Sequence, residues 1–483
     1  LFIILNNTCD IIIKNVNAVI PFNGIVNTNI LIEDGKIKAL EKTIENVSAD
    51  RIINADNKYV LPGVIDPHVH YGVYTPIDNA AITESSSAAT GGITTIIRMI
   101  RLEGSYRKIV KHLEASKNTH ITDYAVHASI LEPQQTSDMS YLKSIGINSF
   151  KIYMNLGSHL NRILADLDPG STSPKEMEVN MTDHLVTDII KNGASLNSVV
   201  LVHAEDHEVC SKNIQEIRKK NEHVNSKILE LWSSLRPEVS EVKSIRKIMN
   251  IALNYKPNLY FVHIGSSEAL NEILKHKRLH QDLRIWIETC PHYLTHSTDF
   301  DNIKGKVVPP LRPKGNIEKL WRALRSGFID TIGTDHVAND LKLKKAEGNF
   351  WNAPSGFSGL ATMLPVMLSE GVNKEKIDLL KLSEICSANA SRIFGLFPKK
   401  GTIMKGSDAD LTIVDMVKEQ TVTPDILNSH SDYTIYDGWK LKGWPVMTIV
   451  RGKVVMEDGK VDQTNIGHGN FVQISPNYQL KSE

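Results

Sequence analysis

Cysteine is scarce: Cys9, Cys210, Cys290 and Cys386 are the only four in 483 residues. No two are spaced as CxxC, which excludes both a dense disulfide framework and a thiolate zinc site and leads us to expect a reducing, cytoplasmic compartment. Neither sign of charge is in excess, with Lys plus Arg and Asp plus Glu at 55 each. Phosphate-based binding normally needs a basic surplus on one domain, so no nucleic-acid partner is expected. No run approaches the ~18 apolar residues of a membrane span, so no membrane partner is expected either. The apolar opening, residues 1–5, lacks the basic flank and the length of a signal-peptide core, which points away from export. Also missing is a GxGxxG turn after the first buried strand, which weighs against an open dinucleotide-binding sheet. What is present is ordinary soluble composition, 41% hydrophobic and 23% charged, in a chain about three times the ~150-residue prior for one domain.

The first sixty residues read as short β-runs separated by turns, at 11–15, 18–20, 30–32, 36–40 and 51–53. Similar runs return at 410–414, 447–450 and 453–456. Two β-segments flanking a long middle predict one β-sandwich built from residues 1–60 and 401–460, followed by an extended tail over 461–483. The middle, 61–400, alternates buried strand runs with polar helix-length stretches, the pattern of a parallel α/β domain. Eight strands are expected, at 63–67, 93–98, 123–129, 148–153, 198–204, 259–264, 284–289 and 330–334. Eight strands with intervening helices make a (β/α)8 barrel with insertions.

Strand one runs out into Asp66-Pro67-His68-Val69-His70. Residues two apart on a strand share a face, so His68 and His70 present two imidazoles at the C-terminal rim, where barrels carry their chemistry. Strands five and six each place one histidine after an apolar run, His203 and His263, and strand eight brings Asp335 to the same rim. One buried histidine is ordinarily hydrogen-bonded core; four with an aspartate on one rim point to metal ligation. Strand four buries Lys151. Burial disfavours an ammonium ion, and a neutral amine can add CO2 to become a carbamate whose two oxygens can bridge two cations. Asp66 is a candidate orienter of His68, with a turn or capping role as the alternative.

The segments Pro62-Gly63-Val64-Ile65-Asp66-Pro67-His68-Val69-His70, Ser149-Phe150-Lys151, Val202-His203-Ala204-Glu205, Glu288-Thr289-Cys290-Pro291-His292-Tyr293-Leu294, Pro309-Pro310-Leu311-Arg312, Gly333-Thr334-Asp335-His336 and Gly406-Ser407-Asp408-Ala409-Asp410-Leu411 together resemble the cyclic amidohydrolases. That group comprises dihydropyrimidinase/hydantoinase, allantoinase and dihydroorotase, and the dihydropyrimidinase/hydantoinase members are nearest. The resemblance implies a (β/α)8 barrel with a terminal β-sandwich, and a homotetramer or homodimer. It implies two Zn2+ per chain, one held by His68, His70 and Asp335, the other by His203 and His263, with carboxylated Lys151 bridging them. A hydroxide bridging the metals would open the amide bond of a small cyclic amide or ureide, and Asp335 would be the catalytic acid and base.

The pattern also departs from the family. The tyrosine that hydantoinases usually carry five residues after the bridging lysine is Leu156 here, and Tyr153, on the same strand face as Lys151, is the candidate replacement. The usual Asn of the loop after strand eight gives way to Ala353-Pro354-Ser355-Gly356, closer to dihydroorotase and making Ser355 a candidate substrate contact, as is Cys290. The Arg that dihydroorotases carry two residues after the His pair is Gly72. Strand two, however, ends with Arg98 and Arg101, where relatives show an acidic and a small polar residue. A guanidinium fork matches a carboxylate, so either arginine is a candidate clamp for an anionic substituent. Dihydroorotase- or allantoinase-type activity remains an alternative. So does a catalytically silent scaffold of the collapsin response mediator kind, although such relatives have lost metal ligands and all six positions are filled here.

Overall fold

Long alternating strands open the chain in the computed structural model, which describes residues 8–44, 47–220 and 226–474. The opening residues 1–5 and the end of the expected tail, 475–483, lie outside these. β1 (Thr8–Ile20) unites two runs that the sequence separates; Asn15, at φ 58°, sits in the bulge between Ile13 and Val16. Asn tolerates that left-handed conformation better than most residues, and the extra residue bends the strand without ending it. β2 (Gly24–Glu33), β3 (Lys36–Glu41), β4 (Ser48–Asn54) and β5 (Tyr59–Pro62) follow.

The barrel strands are β6 (Val64–His70), β7 (Ile93–Ile100), β8 (Asp123–Ser129) and β9 (Ser149–Tyr153), then a small inserted hairpin of β10 (Arg162–Ala165) and β11 (Lys175–Glu178), then β12 (Val199–His203), β13 (Asn258–Phe261), β14 (Arg284–Thr289), β15 (Thr331–Ile332) and β16 (His336–Val337). Every residue of β6 to β9, β12 and β13 is buried, which is why these segments show no regular apolar–polar alternation. The parallel sheet runs β15-β14-β13-β12-β9-β8-β7-β6-β16. The eighth strand, expected as one piece over 330–334, is therefore corrected to two. β15 pairs with β14, and β16 closes the ring against β6. The chain leaves strand geometry between them because Asp335 adopts φ 50°. Three helices, His207–Arg218, Ile228–Leu235 and Glu238–Tyr255, fill the connection from β12 to β13. No helix among the described residues is long and apolar enough to cross a membrane.

β17 (Leu411–Thr421), β18 (Lys440–Val450), β19 (Lys453–Glu457) and β20 (Lys460–Val461) return to the N-terminal strands in one mixed sheet, β20-β19-β18-β17-β5-β1-β2-β3, with β4 beside β1. β1 branches, pairing with β4 through its first half and β5 through its second. Ile13, Val16, Ile30 and Ile32 share a core with Leu411, Ile413 and Ile449, so the two chain ends are buried together. The expected tail is anchored as far as Ile474. Tyr124 N donates to Asn470 O at 3.0 Å, Val472 N to Tyr124 O at 2.7 Å and Ile474 N to Gly146 O at 3.1 Å. Its backbone is satisfied by β8 and the chain before β9, and Val472 and Ile474 are buried against the barrel.

Barrel and terminal sheet meet at Gly63, where a Cβ would lie 2.2 Å from Thr94 Oγ1 and 2.8 Å from Asp410 Cβ. Beside this contact Lys400, itself buried, donates to Asp123 at the foot of β8 and to Asp410 at the start of β17, with Asp408 at 3.2 Å. Arg451 Nε adds a second contact to Asp123 at 3.1 Å. One ammonium thus neutralises carboxylates from both parts of the fold. Lys400→Met should cost about 3–5 kcal/mol, because it strands buried carboxylates without their cation. Urea denaturation will read this as a lower midpoint, and an unchanged midpoint would show that the cluster is not what joins the two parts.

Candidate metal centre

β6 delivers His68 and His70 to the barrel mouth, where each Nε2 lies 3.2 Å from Asp335 Oδ1. These three side chains offer donor atoms all within 4.8 Å of one another. His263, just beyond β13, and His203, the last residue of β12, complete a ring chain: centroids are 5.2 Å apart for His68 and His70, 5.3 Å for His68 and His263, and 4.5 Å for His203 and His263. His263 and Asp335 both hold positive φ, 41° and 50°. For residues other than glycine such strain persists only where the surroundings impose it. Lys151 stands on β9 beside Leu201 of β12, fully buried, its amine 5.3 Å from the Tyr153 ring centroid.

Burial governs the electrostatics. It depresses His68 to about 3 and His203 to about 4, and holds His70 and His263 well below the usual imidazole range, so all four rings are neutral near pH 7. Neutral imidazoles have a lone pair to give a cation. Burial likewise lowers Lys151 to about 7, against the pull of Glu288 and Asp335. Its amine and His263 Nδ1 are buried without any hydrogen-bond partner among the described residues. His68 Nδ1 faces Glu288 Oε1 at 2.8 Å. Its ring proton is placed there, so its Nε2 lone pair points at the Asp335 oxygen, an arrangement that a cation between them satisfies. The orphaned atoms and this nitrogen–oxygen donor set fit divalent metal ions of the zinc type.

Carboxylates not singled out by sequence hold the ligands in place. Glu288 also accepts from His263 N at 2.9 Å and from the Tyr260 hydroxyl at 2.8 Å. Glu205 Oε2 lies 2.6 Å from His203 Nε2, leaving Nδ1 for a cation, and Glu205 is gripped by both arms of Arg236 at 2.9 and 2.8 Å. A buried acid at the end of an apolar strand run was the available signal for Glu205 and Glu288, as a buried amine was for Lys151. Asp66 touches no imidazole. It accepts from the backbone N–H groups of His68 and Thr334, both at 3.1 Å, and from Thr334 Oγ1 at 2.6 Å, so it orients His68 through the main chain and ties β6 to the break in strand eight.

The candidate substrate contacts separate. Arg101 reaches the centre, with Nη2 2.9 Å from His70 Nδ1 and Nε donating to the Tyr153 hydroxyl at 3.2 Å. Tyr153 is buried near His203, and Arg101 is half-buried. Arg98, by contrast, is buried in an ion pair with Asp166 and donates to Tyr71 O at 3.3 Å. Its charge is spent on a carboxylate from the inserted segment, beside Gly72, whose Cβ would lie 3.1 Å from Arg98 Nη2. Leu156 is buried and apolar. Cys290 is a fully buried thiol whose pKa burial pushes far up, in an acidic surrounding that includes Glu288 and Asp335. Ser355 is half-buried in the loop after strand eight.

The sequence profile of the amidohydrolase family matches residues 59–455. An L-hydantoinase of Paenarthrobacter aurescens is 31% identical over 479 residues, spanning 96% of this chain and 98% of its own. A D-hydantoinase of Geobacillus stearothermophilus is 30% identical over 488 residues, spanning 96% of each. The solved L-hydantoinase (dihydropyrimidinase) from Arthrobacter aurescens superposes with a TM-score of 0.86 at 30% identity, over 96% of this chain and 100% of that one.

Glu205→Gln removes the charge that fixes His203 and pairs Arg236. It should weaken retention of one divalent ion about 10–100-fold while leaving the His68, His70 and Asp335 site loaded. Chelator competition followed by elemental analysis separates the two sites. Equal retention at both would show that Glu205 does not act on the metal ligand.

Proposed function

Because the chain belongs to the amidohydrolase family, matched over residues 59–455, we propose that it is a two-metal hydrolase opening the amide bond of a cyclic amide or ureide of the dihydropyrimidine or hydantoin type. The observation that carries this reading is the meeting of four neutral imidazoles and Asp335 around a buried lysine amine that has no hydrogen-bond partner among the described residues. His68, His70 and Asp335 would hold one zinc ion and His203 and His263 the other. Lys151 would join them after its nitrogen adds to CO2, forming an N–C bond and releasing one proton. Two such ions would polarise the ring carbonyl and acidify water enough to attack it at neutral pH. Asp335 is the group we assign to accept that water's proton and deliver it to the leaving nitrogen as the C–N bond breaks. Tyr153, whose oxygen accepts from Arg101, keeps its own proton free to donate to the carbonyl oxygen as charge develops there. That gives it the role left empty at Leu156.

Two nearly equal identities, 31% to an L-hydantoinase and 30% to a D-hydantoinase, favour neither hand of substrate. Arg101 supports a second reading, a ring bearing a carboxylate as in dihydroorotase-type chemistry, since it is the guanidinium aimed into the centre. The silent-scaffold alternative is disfavoured by the intact donor set. The resemblance also carries a homotetramer or homodimer, and the sparse, unpaired cysteines, all four buried as free thiols, favour a cytoplasmic setting.

The test is hydrolysis of dihydrouracil, 5-substituted hydantoins, allantoin and dihydroorotate by zinc-loaded protein, alongside Arg101→Gln. Ring opening of at least one neutral ring is expected. If Arg101 clamps a carboxylate, its loss should cost about 2–5 kcal/mol on acidic rings and little on neutral ones. No turnover on any ring by fully loaded protein would overturn the reading, and equal losses on both ring classes would remove the clamp.

A further inference from the structure

Two lysines outside the ligand cluster are buried without a carboxylate partner among the described residues. Lys344 is fully buried and Lys306 is 3% exposed. Lys306 Nζ donates to Phe350 O at 2.8 Å and Ala353 O at 2.7 Å, between the faces of Trp232 and Phe350, each centroid 4.7 Å away. Lys344 Nζ donates to Lys306 O at 2.7 Å, Pro354 O at 2.9 Å and Gly356 O at 2.8 Å. The charged groups felt by either amine are all cations: Arg236 and Arg218 at Lys306, and Lys306 at Lys344. Burial accordingly lowers both, Lys306 to about 7 and Lys344 well below its usual range. A buried ammonium without a counter-charge is costly. Here two buried amines are set on one loop, and four of the five carbonyls that receive them belong to residues 350–356.

That loop lies against strand eight. Val337 N donates to Phe357 O at 3.0 Å and Gly359 N to His336 Nδ1 at 3.1 Å. Gly356, at φ +94°, approaches so closely that a Cβ would be 2.4 Å from the Val337 side chain. His336 and Val337 in turn pair with Val69 and His70. The segment bearing Ser355 is thus one strand from a candidate ligand and adjoins Val337, two residues beyond Asp335.

We propose that Lys306 and Lys344 are positioning residues, buried amine donors seated in a cage of backbone carbonyls that fix residues 350–356 as a wall of the substrate pocket. The pocket half of this statement rests on the function proposed above; the cage half does not. Neither lysine touches the reacting atoms. Each acts by giving its loop carbonyls a donor that water, excluded from this interior, does not supply.

The test is Lys344→Ala in the full, zinc-loaded chain, with Lys344→Met, which keeps the apolar stem, read in the same way should the alanine variant fold poorly. Hydrogen exchange over residues 349–358 should speed up. With metal content retained, KM on the best ring substrate should rise at least ~10-fold while kcat changes less than about threefold. Ammonium or methylammonium chloride should slow the exchange and restore KM by refilling the cage, and tetramethylammonium at equal ionic strength, too large for it, should not. Unchanged exchange, or no difference among the three salts, would overturn the cage. Faster exchange with an unaltered KM would overturn the pocket wall. If the wild-type chain opens no ring, the function reading fails by itself, and exchange with salt rescue still decides the cage.

Discussion

A buried amine with nothing to bond to is the constraint on which this site depends. Lys151 sits on an all-buried strand among four neutral imidazoles, and its nitrogen has no hydrogen-bond partner among the described residues. A charged ammonium in that position would face desolvation with no anion in contact. The buried acids nearby, Glu288 and Asp335, lessen that penalty without removing it, since the balance still lowers Lys151 to about 7. A neutral amine at physiological pH is a nucleophile towards CO2, and a carbamate formed there would replace an unfavourable cation by an anion facing lone pairs. Such an exchange would be stable only with cations between the two.

Around that amine the protein invests in orientation. Glu288 binds a ring nitrogen of His68, a backbone amide at His263 and the Tyr260 hydroxyl at once, so two strands' ligands share one carboxylate. Glu205 and Arg236 do the same for His203, and Asp66 ties the backbone at His68 to Thr334, next to the strained Asp335. Each fixes a ring or a main-chain turn whose freedom would otherwise have to be lost on binding, the usual role of groups just outside a metal's ligands.

The candidate ligand positions drew notice because β6, β9, β12 and β13 are wholly buried, so a polar side chain on or just beyond such a strand stands out. His203, the last residue of β12, stands out for that reason alone. Partnerships across long separations were not legible. The partner of Arg98 could not be named, because Asp166 lies 68 residues on, in an insertion with no local signature. The split of strand eight depends on a single left-handed residue, Asp335, which no apolar pattern encodes. Glu205 was visible only as part of a motif, since the need for it arises from Arg236, supplied by the helices between β12 and β13. The anchored segment before Ile474 was unreadable for a related reason: its hydrogen bonds are to strand edges distant in sequence.

The central claim is that the Lys151 amine exists as a carbamate, and spectroscopy can address it without any substrate. Protein loaded with zinc in carbon-13 bicarbonate should show one carbamate resonance, absent from Lys151→Ala and lost when the metal is removed. A wild-type spectrum without that resonance, at full metal content, would contradict the account at its root.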